Sequence, residues 1–586
     1  MIKISDYIVK FLKEKGIKDI FMLPGGGCIH LVDSVKKQGL NYIVNLHEQG
    51  AAIAAEAYAQ YKNNVGVALV TTGPGGTNAI TAVASAWIDS IPLLIISGQV
   101  QKQDMREKGM RTKGFQEINI IDIVKPITKL ALTMHEPENI AGYLNQAWDA
   151  MLEGRKGPVW LDIPLDVQAA LVDEDKLPIY NPSKIKPKGE DFEFIKNLIA
   201  FSERPVILIG NGIRSSIRAF YNFINHTDIP VLTTWRAMDL MSEIDPLFIG
   251  RPGSIATRGA NFNLYNADLV ICLGARLDHG QVAYNLEDFA PNAAKIIVDI
   301  DEGELSKYKG LKGKWILLKY DVEEFLSILN DDIHSFNVWH DKWAKTCKTL
   351  YNKYNKFDET YNEDNGINLY SFINILSDLA PEDSIIIPGS SGTCSEITMQ
   401  AWKVKTGQRI FNSPGLGAMG FGIPAAIGAC IASGKKPVIC IEGDGSFMMN
   451  MQELEIINRL NLPIKIFVIN NGGYNSIKNT QEKYFGGDLV GCTPESGLTL
   501  PDISSIAGGF DIDYEYIDHR ESLEYELGAI FKDWNKYPVI CEVESYNHQT
   551  LPRTSTYQDE NGKFISAPMH DLYPFLDKKE LNDNIF

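Results

Sequence analysis

A carboxylate and a carboxamide stand at matching points of two successive strand-and-turn units: Asp444 in Gly443-Asp444-Gly445-Ser446, and Asn471 in Asn470-Asn471-Gly472-Gly473. Hard oxygen donors beside glycine-rich turns suit Mg²⁺ held against a diphosphate. The glycines let phosphate oxygens approach the backbone, and Ser446 opens a segment whose N–H groups favour anions. Two turn residues capping helices are the plainer alternative. A lone Gly-Asp-Gly would leave that alternative standing, but a paired motif with each half behind a buried strand makes it the weaker one.

Other residues invite chemistry less strongly. Glu48, in His47-Glu48-Gln49-Gly50-Ala51-Ala52, enters a helix of small residues. A first-turn Glu favoured by the helix dipole is the commoner explanation of that position alone. The run Gly50, Ala51, Ala52, Ala54, Ala55 predicts close packing against another surface, and a carboxylate buried there needs a partner. Gly73-Pro74-Gly75-Gly76-Thr77-Asn78 is a tight strand-to-helix turn. Gly210-Asn211-Gly212 follows a strand but lacks the rest of a dinucleotide fingerprint. Arg276 and Asp278 divide evenly between surface charge and a ligand role.

The elements that must position these groups read as parallel α/β layers. Pro437–Ile441 and Ile464–Ile469 are buried strands, and Met448 to Arg459 reads as the helix between them. Asp444 and Asn471 therefore fall at the carboxyl ends of neighbouring strands, where open α/β sheets bind ligands. Residues 1–172 repeat the pattern: strands at Ile20–Leu23, Val65–Thr72, Pro92–Gly98 and Pro158–Ile163, each leading into a turn or helix. Such alternation implies a parallel sheet with helices on both faces. A polar, proline-bearing stretch from Asp173 to Asp191 reads as a linker. A second α/β domain is predicted at 192–340, with strands at Pro205–Ile209, Asp268–Leu273 and Lys295–Asp299. A polar segment from Asp341 to Asn365 is read as a connection, followed by a third α/β domain at 366–545 and a C-terminal arm at 546–586. No close sequence repeat links the first and third domains.

Composition narrows the class. At roughly 100–200 residues per domain, 586 residues call for several domains. A net charge of −18 without a basic face argues against nucleic-acid binding. No apolar run is long enough for a membrane span, and the first residues lack a signal peptide's apolar core. The eight cysteines form no Cys-x-x-Cys pair and several lie in apolar strands, so reduced thiols and a cytoplasmic location are expected. The histidines show no zinc spacing.

In order along the chain, Phe21-Met22-Leu23-Pro24-Gly25-Gly26, His47-Glu48-Gln49-Gly50-Ala51, Thr72 to Asn78, Ser97-Gly98-Gln99-Val100, Gly114-Phe115-Gln116-Glu117, Gly415 to Gly422 and the Asp444 and Asn471 motifs form a specific set. To about residue 550 the chain resembles the large subunit of acetolactate synthase and its pyruvate-oxidase-like relatives among thiamine diphosphate enzymes. That resemblance implies pyrimidine-binding, central and diphosphate-binding α/β domains, with the cofactor between the first domain of one subunit and the third of its partner. A homodimer is then the minimum, and pairing of dimers into a tetramer stays open.

The resemblance also implies roles. Glu48 hydrogen-bonds the pyrimidine ring and supports its proton transfer. Asp444 and Asn471, with the Gly473 carbonyl, bind Mg²⁺. Met419 is the apolar wedge under the cofactor. Gln116 and Phe115 face the reacting carbon. Gly73, Pro74, Asn78, Gly392, Thr393, Cys394, Gly417, Gly443, Gly445, Ser446, Tyr474 and Asn475 complete the cofactor contacts. The implied reaction decarboxylates a 2-oxo acid, with pyruvate the first choice, and adds the two-carbon unit to a second carbonyl compound.

The sequence departs from the family's pattern on the substrate side. A Trp of the family becomes Thr480, an apolar contact becomes Ser476, a Lys becomes Leu165, and a diphosphate-contacting His becomes Cys394. The segment Asn475 to Gly487 and the end from Lys563 to Leu576 resemble relatives of surface-polysaccharide sugar synthesis, some of which transfer a two-carbon unit to a nucleotide-linked keto-deoxysugar. A simple 2-oxo acid decarboxylase is a further alternative. Only half of the family's FAD run survives, as Arg276-Leu277-Asp278-His279-Gly280, so FAD binding stays open.

Overall fold

The computed structural model describes residues 1–178, 180, 192–331, 333, 339–355, 366–545, 554, 556–558 and 564–586. The chain forms two compact units, one of Met1–Lys184, Ser384–Ser395 and Arg409–Asn547, the other of Ile185–Asp383, Glu396–Gln408 and His548–Phe586. They carry three parallel sheets with flanking helices, two in the first unit and one in the second.

In the first unit, one sheet runs Asn41–Val44, Asp19–Met22, Gly66–Val70, Leu93–Gln99, Val159–Pro164, Leu130–Thr133 across its width. The other runs Arg409–Ile410, Ile385–Pro388, Val438–Gly443, Ile464–Asn470, Val539–Glu544, Asp513–Ile517. Every pairing in both is parallel. Numbered along the chain within each sheet, both orders are 2-1-3-4-6-5. The two sheets thus share one topology although their sequences show no close repeat. The central strands are buried on both faces, which is why they read as continuous apolar runs.

One apolar core joins the helices of these two sheets. Helix Glu48–Lys62 is buried without a break from Gly50 to Gln60, and it packs on helix Gly422–Ala432, itself almost wholly buried. The approach is close: a Cβ on Gly428 would lie 2.0 Å from the Ala54 carbonyl oxygen, and one on Gly66 would lie 1.9 Å from that of Ala55. The small residues after Glu48 are therefore a packing surface, as their run predicts. Arg409 Nη2 donates to the Gln60 carbonyl at 2.5 Å and Arg459 Nη2 to that of Val44 at 2.8 Å, tying the same two layers at their margins.

The second unit's sheet runs Val231–Thr233, Pro205–Ile209, Leu269–Leu273, Ala294–Asp299, Trp315–Lys319, again all parallel, with an apolar cluster on each face. A Cβ on Gly210 would meet the Gly274 carbonyl oxygen at 2.1 Å, so these glycines serve contact between two strand-end loops. The segment read as a connection differs from expectation. Asp341–Tyr354 is a helix burying Trp343, Ala344, Cys347, Leu350 and Tyr351 on one face, a helical spacing masked by the lysines between them. The arm docks on helix Arg258–Tyr265 and its cap: Asn261 Nδ2 donates to the Met569 carbonyl at 2.7 Å and Asn266 Nδ2 to that of Asn584 at 2.8 Å. Of the proposed linker, only residues to 178, and 180, lie within the described part.

Among the described residues no helix is long and apolar enough to cross a membrane. All eight cysteines are free and buried.

Candidate cofactor and metal site

Strand Val438–Gly443 pairs with Ile464–Asn470 in parallel, Gly443 opposite Ile469, so the Asp444 and Asn471 turns leave the sheet side by side. The Asp444 carboxylate is 4% exposed. Its Oδ1 accepts the Gly445 N–H at 2.7 Å, and its Oδ2 accepts those of Gly473 at 2.9 Å and Asn471 at 3.3 Å. Burial pushes this carboxyl up to about 6, against the backbone N–H groups that favour its charged form. A cation beside it would offset that burial cost.

The amide of Asn471 answers the question of fit. Its Oδ1 is buried and has no hydrogen-bond partner among the described residues. Both polar atoms of the Asn475 amide are in the same condition. A buried carbonyl oxygen without a donor is costly, and a cation or a ligand donor relieves it. Among the described residues no three His, Cys, Asp or Glu side chains converge as a metal cluster. The donor set here is instead an Asp oxygen, an Asn oxygen and backbone, which suits a hard divalent cation. A divalent cation such as Mg²⁺ held against a diphosphate fits these residues.

Around this point the loops are held from several sides. The Tyr474 ring lies over Gly445, where a Cβ would come within 2.3 Å of it. Gly392 (φ +82°) and Gly417 (φ +68°) follow strand ends with open backbone: the nearest atom to a Cβ on Gly392 is Ser476 Oγ at 3.7 Å, and on Gly417 the Ser390 carbonyl oxygen at 3.5 Å. Cys394 is buried beside Gly443, its Sγ 3.7 Å from where a Gly443 Cβ would sit. The Thr393 side chain lies outside the described atoms. Met419 is half-buried, and the next residue is clamped: Gly420 N–H donates to Ser446 Oγ at 2.8 Å while the Gly420 carbonyl accepts Asn450 Nδ2 at 2.8 Å. This clamp also explains why the expected helix Met448–Arg459 is broken. Asn450 leaves the helical region at φ −136°, a 3₁₀ turn follows at Met451–Glu453, and α-helix resumes only at Leu454–Arg459.

Glu48 opens its helix at the carboxyl end of the first sheet, with the side chain of His47 accepting the Gln49 N–H at 3.1 Å as cap. Glu48 is 7% exposed, and its Oε2 accepts Asn78 Nδ2 at 3.0 Å. Its Oε1 would lie 3.6 Å from a Cβ on Gly75. Asn78 ends the short helix Pro74–Asn78 that Gly73 (φ +67°) introduces, so one turn from the neighbouring strand aims at Glu48. Phe115 and Gln116 lie on an exposed loop, Phe115 with 87% of its surface in solvent. Gln116 holds φ +60°, unusual for a residue with a side chain.

Several residues of the site carry no motif. Glu453 reaches the Glu48 turn from the other sheet's layer. Glu442, buried two residues before Asp444, accepts the Gly422 N–H at 2.7 Å, and burial pushes it up to about 7. Asp162 is wholly buried in an apolar strand. A charged residue inside a buried run is a sequence signal, and it picks out Glu442 and Asp162. Nothing local picks out Glu453.

On the second unit, Arg276 and Asp278 form an ion pair with each other at 3.1 Å.

Family models match three stretches of the chain: thiamine pyrophosphate enzyme N-terminal TPP binding domain over residues 2–123, central domain over 193–328, and C-terminal TPP binding domain over 390–543. The acetolactate synthase isozyme 2 large subunit of Escherichia coli (strain K12) is 30% identical over 551 residues, covering 92% of this chain and 95% of that protein. The acetolactate synthase large subunit of Lactococcus lactis subsp. lactis (strain IL1403) is 33% identical over 552 residues, 92% of each. The chloroplastic acetolactate synthase 2 of Zea mays is 32% identical over 577 residues, 95% of this chain and 88% of that one.

Proposed function

Because the chain belongs to the thiamine diphosphate enzymes of the acetolactate synthase type, we propose that it decarboxylates pyruvate or a close 2-oxo acid and transfers the two-carbon unit to a carbonyl acceptor. The observation that carries the metal half of this reading is the buried, unpartnered Asn471 Oδ1 beside the buried Asp444 carboxylate. Asp444, Asn471 and the Gly473 carbonyl would hold Mg²⁺, with Gly392, Thr393, Cys394, Gly417, Gly443, Gly445, Ser446, Tyr474 and Asn475 around the diphosphate and Met419 beneath the ring system. When bound, thiamine diphosphate supplies the nucleophilic carbon and the electron sink for decarboxylation. Glu48, fixed by Asn78, would hold the proton at the pyrimidine ring, with Gly73 and Pro74 among the cofactor contacts. Gln116 and Phe115 would face the reacting carbon.

The reading needs two copies of the chain, the first domain (1–172) of one facing the third domain (366–545) of the other, with 192–340 as the central domain and 546–586 as the arm. Exposed apolar side chains in both half-site regions, Phe115 in one and Leu416 and Met449 in the other, support a partner there. The buried free thiols suit a cytoplasmic protein. FAD has no task in this redox-neutral reaction, and the charged ends of its half-run pair with one another.

A second reading concerns the acceptor. Ser476 and Thr480 are both exposed, one turn apart on helix Asn475–Phe485, where the family's bulkier residues would narrow the entrance. That opening favours an acceptor larger than pyruvate, of the nucleotide-linked keto-deoxysugar class.

The test is product identification after incubation with pyruvate, Mg²⁺ and thiamine diphosphate, with and without candidate acceptors. Acetolactate supports the first reading and an acetyl-branched sugar the second. Free acetaldehyde alone would mean a simple decarboxylase, and no CO₂ release from any 2-oxo acid would sink the proposal.

A further inference from the structure

A polar network lies under the loop that carries Gln116. Asp162, wholly buried, accepts Ser97 Oγ at 2.6 Å and Gln99 Nε2 at 3.0 Å. Gln99 Nε2 also donates to the Ile118 carbonyl at 2.9 Å, so both amide hydrogens are committed. Its Oε1 therefore faces the other way, toward Thr72 Oγ1 at 3.0 Å and the Val100 N–H at 3.0 Å. The Thr72 hydroxyl lies 3.1 Å from the Gln116 carbonyl as well and shares its hydrogen between the two oxygens. Two carbonyls of the loop, Gln116 and Ile118, are thus pinned from below. Thr72, Ser97, Gln99, Ile118 and Asp162 line one narrow cleft, and hydrogen bonds in buried surroundings are strong and directional.

Gln116 needs that support. It holds φ +60° on top of Gly73, where a Cβ would fall 2.8 Å from the Gln116 carbonyl oxygen. A left-handed residue with a side chain persists only where its surroundings over-determine it. If the cluster served only the carboxyl ends of the interior strands Leu93–Gln99 and Val159–Pro164, its outer members would have no reason to bond the carbonyls of an exposed loop. We propose that Thr72, Gln99 and Asp162 are positioning residues that fix the backbone of Gln116 for the decarboxylation step. The inference rests on the reading above, in which Gln116 faces the reacting carbon. Burial pushes the Asp162 carboxyl up to about 7, and it accepts from Gln99 in either protonation state.

The test uses the full-length protein with thiamine diphosphate and Mg²⁺. Thr72→Val keeps the shape and removes the hydroxyl. It should lower kcat for CO₂ release from pyruvate on the order of 10-fold or more, with KM and cofactor affinity held within about twofold. Thr72→Ser should restore most of the rate. In a Gln116→Ala background Thr72→Val should add little further loss, because the positioned group is gone. Equal losses in both backgrounds, or cofactor affinity falling in step with kcat, would overturn the proposal. Carbonyl ¹³C shifts supply a readout independent of turnover: the Gln116 carbonyl, which accepts from Thr72 Oγ1, should move upfield in Thr72→Val as it loses that hydrogen bond, and an unchanged shift would refute the pinning. If the wild type releases no CO₂ from any 2-oxo acid, the functional reading fails by itself and the carbonyl shift still decides the positioning.

Discussion

Glu453 accepts the backbone N–H of His47 at 3.1 Å. The first residue follows the Asp444 turn in the third domain, and the second caps the helix that Glu48 opens in the first. Glu453 Oε2 also takes Asn45 Nδ2 at 2.8 Å, and a Cβ on Gly50 would lie 2.4 Å from Glu453 Oε1. One buried carboxylate therefore sets the metal-side segment and the Glu48 helix in a common frame within the chain.

That carboxylate gives stability a pH dependence. Burial pushes Glu453 from 4.5 up to about 7, against the Asn45, His47 and Leu46 donors and the Arg459 charge. Between those values the unfolded chain has released the proton and the folded chain keeps it. The group's stabilisation is full below the lower value, falls as pH rises, and levels off above the upper one. The whole excursion is roughly 3 kcal/mol. Glu453→Gln should gain on the wild type in urea unfolding between about pH 5 and about pH 8 by up to that amount; a pH-independent difference would contradict the assignment.

Glu48→Gln should leave the fold and the bound cofactor in place while slowing C2 proton exchange on thiamine diphosphate by about 100-fold or more. Near-normal exchange would remove Glu48 from the proposed role.

Removing Mg²⁺ with a chelator should release thiamine diphosphate, and Asn471→Ala should weaken cofactor binding by roughly 10- to 100-fold without changing the far-UV circular dichroism. Unchanged affinity, measured by fluorescence quenching or calorimetry, would exclude the metal reading of Asn471.

Gly428→Ala should destabilise the first unit by about 1–3 kcal/mol, since its methyl group meets a backbone carbonyl that cannot step aside. Gly508→Ala is the control. Beyond its own helix backbone and chain neighbours, no described atom lies within 4 Å of its added Cβ, and in helix Ile503–Gly509 it should be neutral or mildly stabilising.

What was legible in the chain follows from burial. Strands Leu93–Gln99, Val438–Gly443 and Ile464–Asn470 are apolar on both faces and declare themselves. Asn41–Val44, Leu130–Thr133 and Asp513–Ile517 lie at sheet edges and are partly wet, and with Arg409–Ile410 they are only two to five residues long, so none has a long apolar run to show. Asp444, Asn471 and Glu48 stood out because each follows a strand in a glycine-marked or small-residue turn. Thr72 and Gln99 stood in recognisable motifs without a role attached, and Glu453 stood in none, because their partners lie far away in sequence: 406 residues separate Glu453 from His47 and 44 separate Thr72 from Gln116. Helix Asp341–Tyr354 was hidden by its exposed lysines.

The seam where helix Glu48–Lys62 meets Gly422–Ala432 has a consequence for how such a chain can diversify. Residues that touch neighbouring backbone through missing side chains tolerate almost no change in volume, so mutational drift along this seam is closed off. The open ground is at a strand end, on the exposed positions Ser476 and Thr480 of helix Asn475–Phe485. A lineage built on this frame can alter which acceptor it takes while the machinery beneath stays fixed.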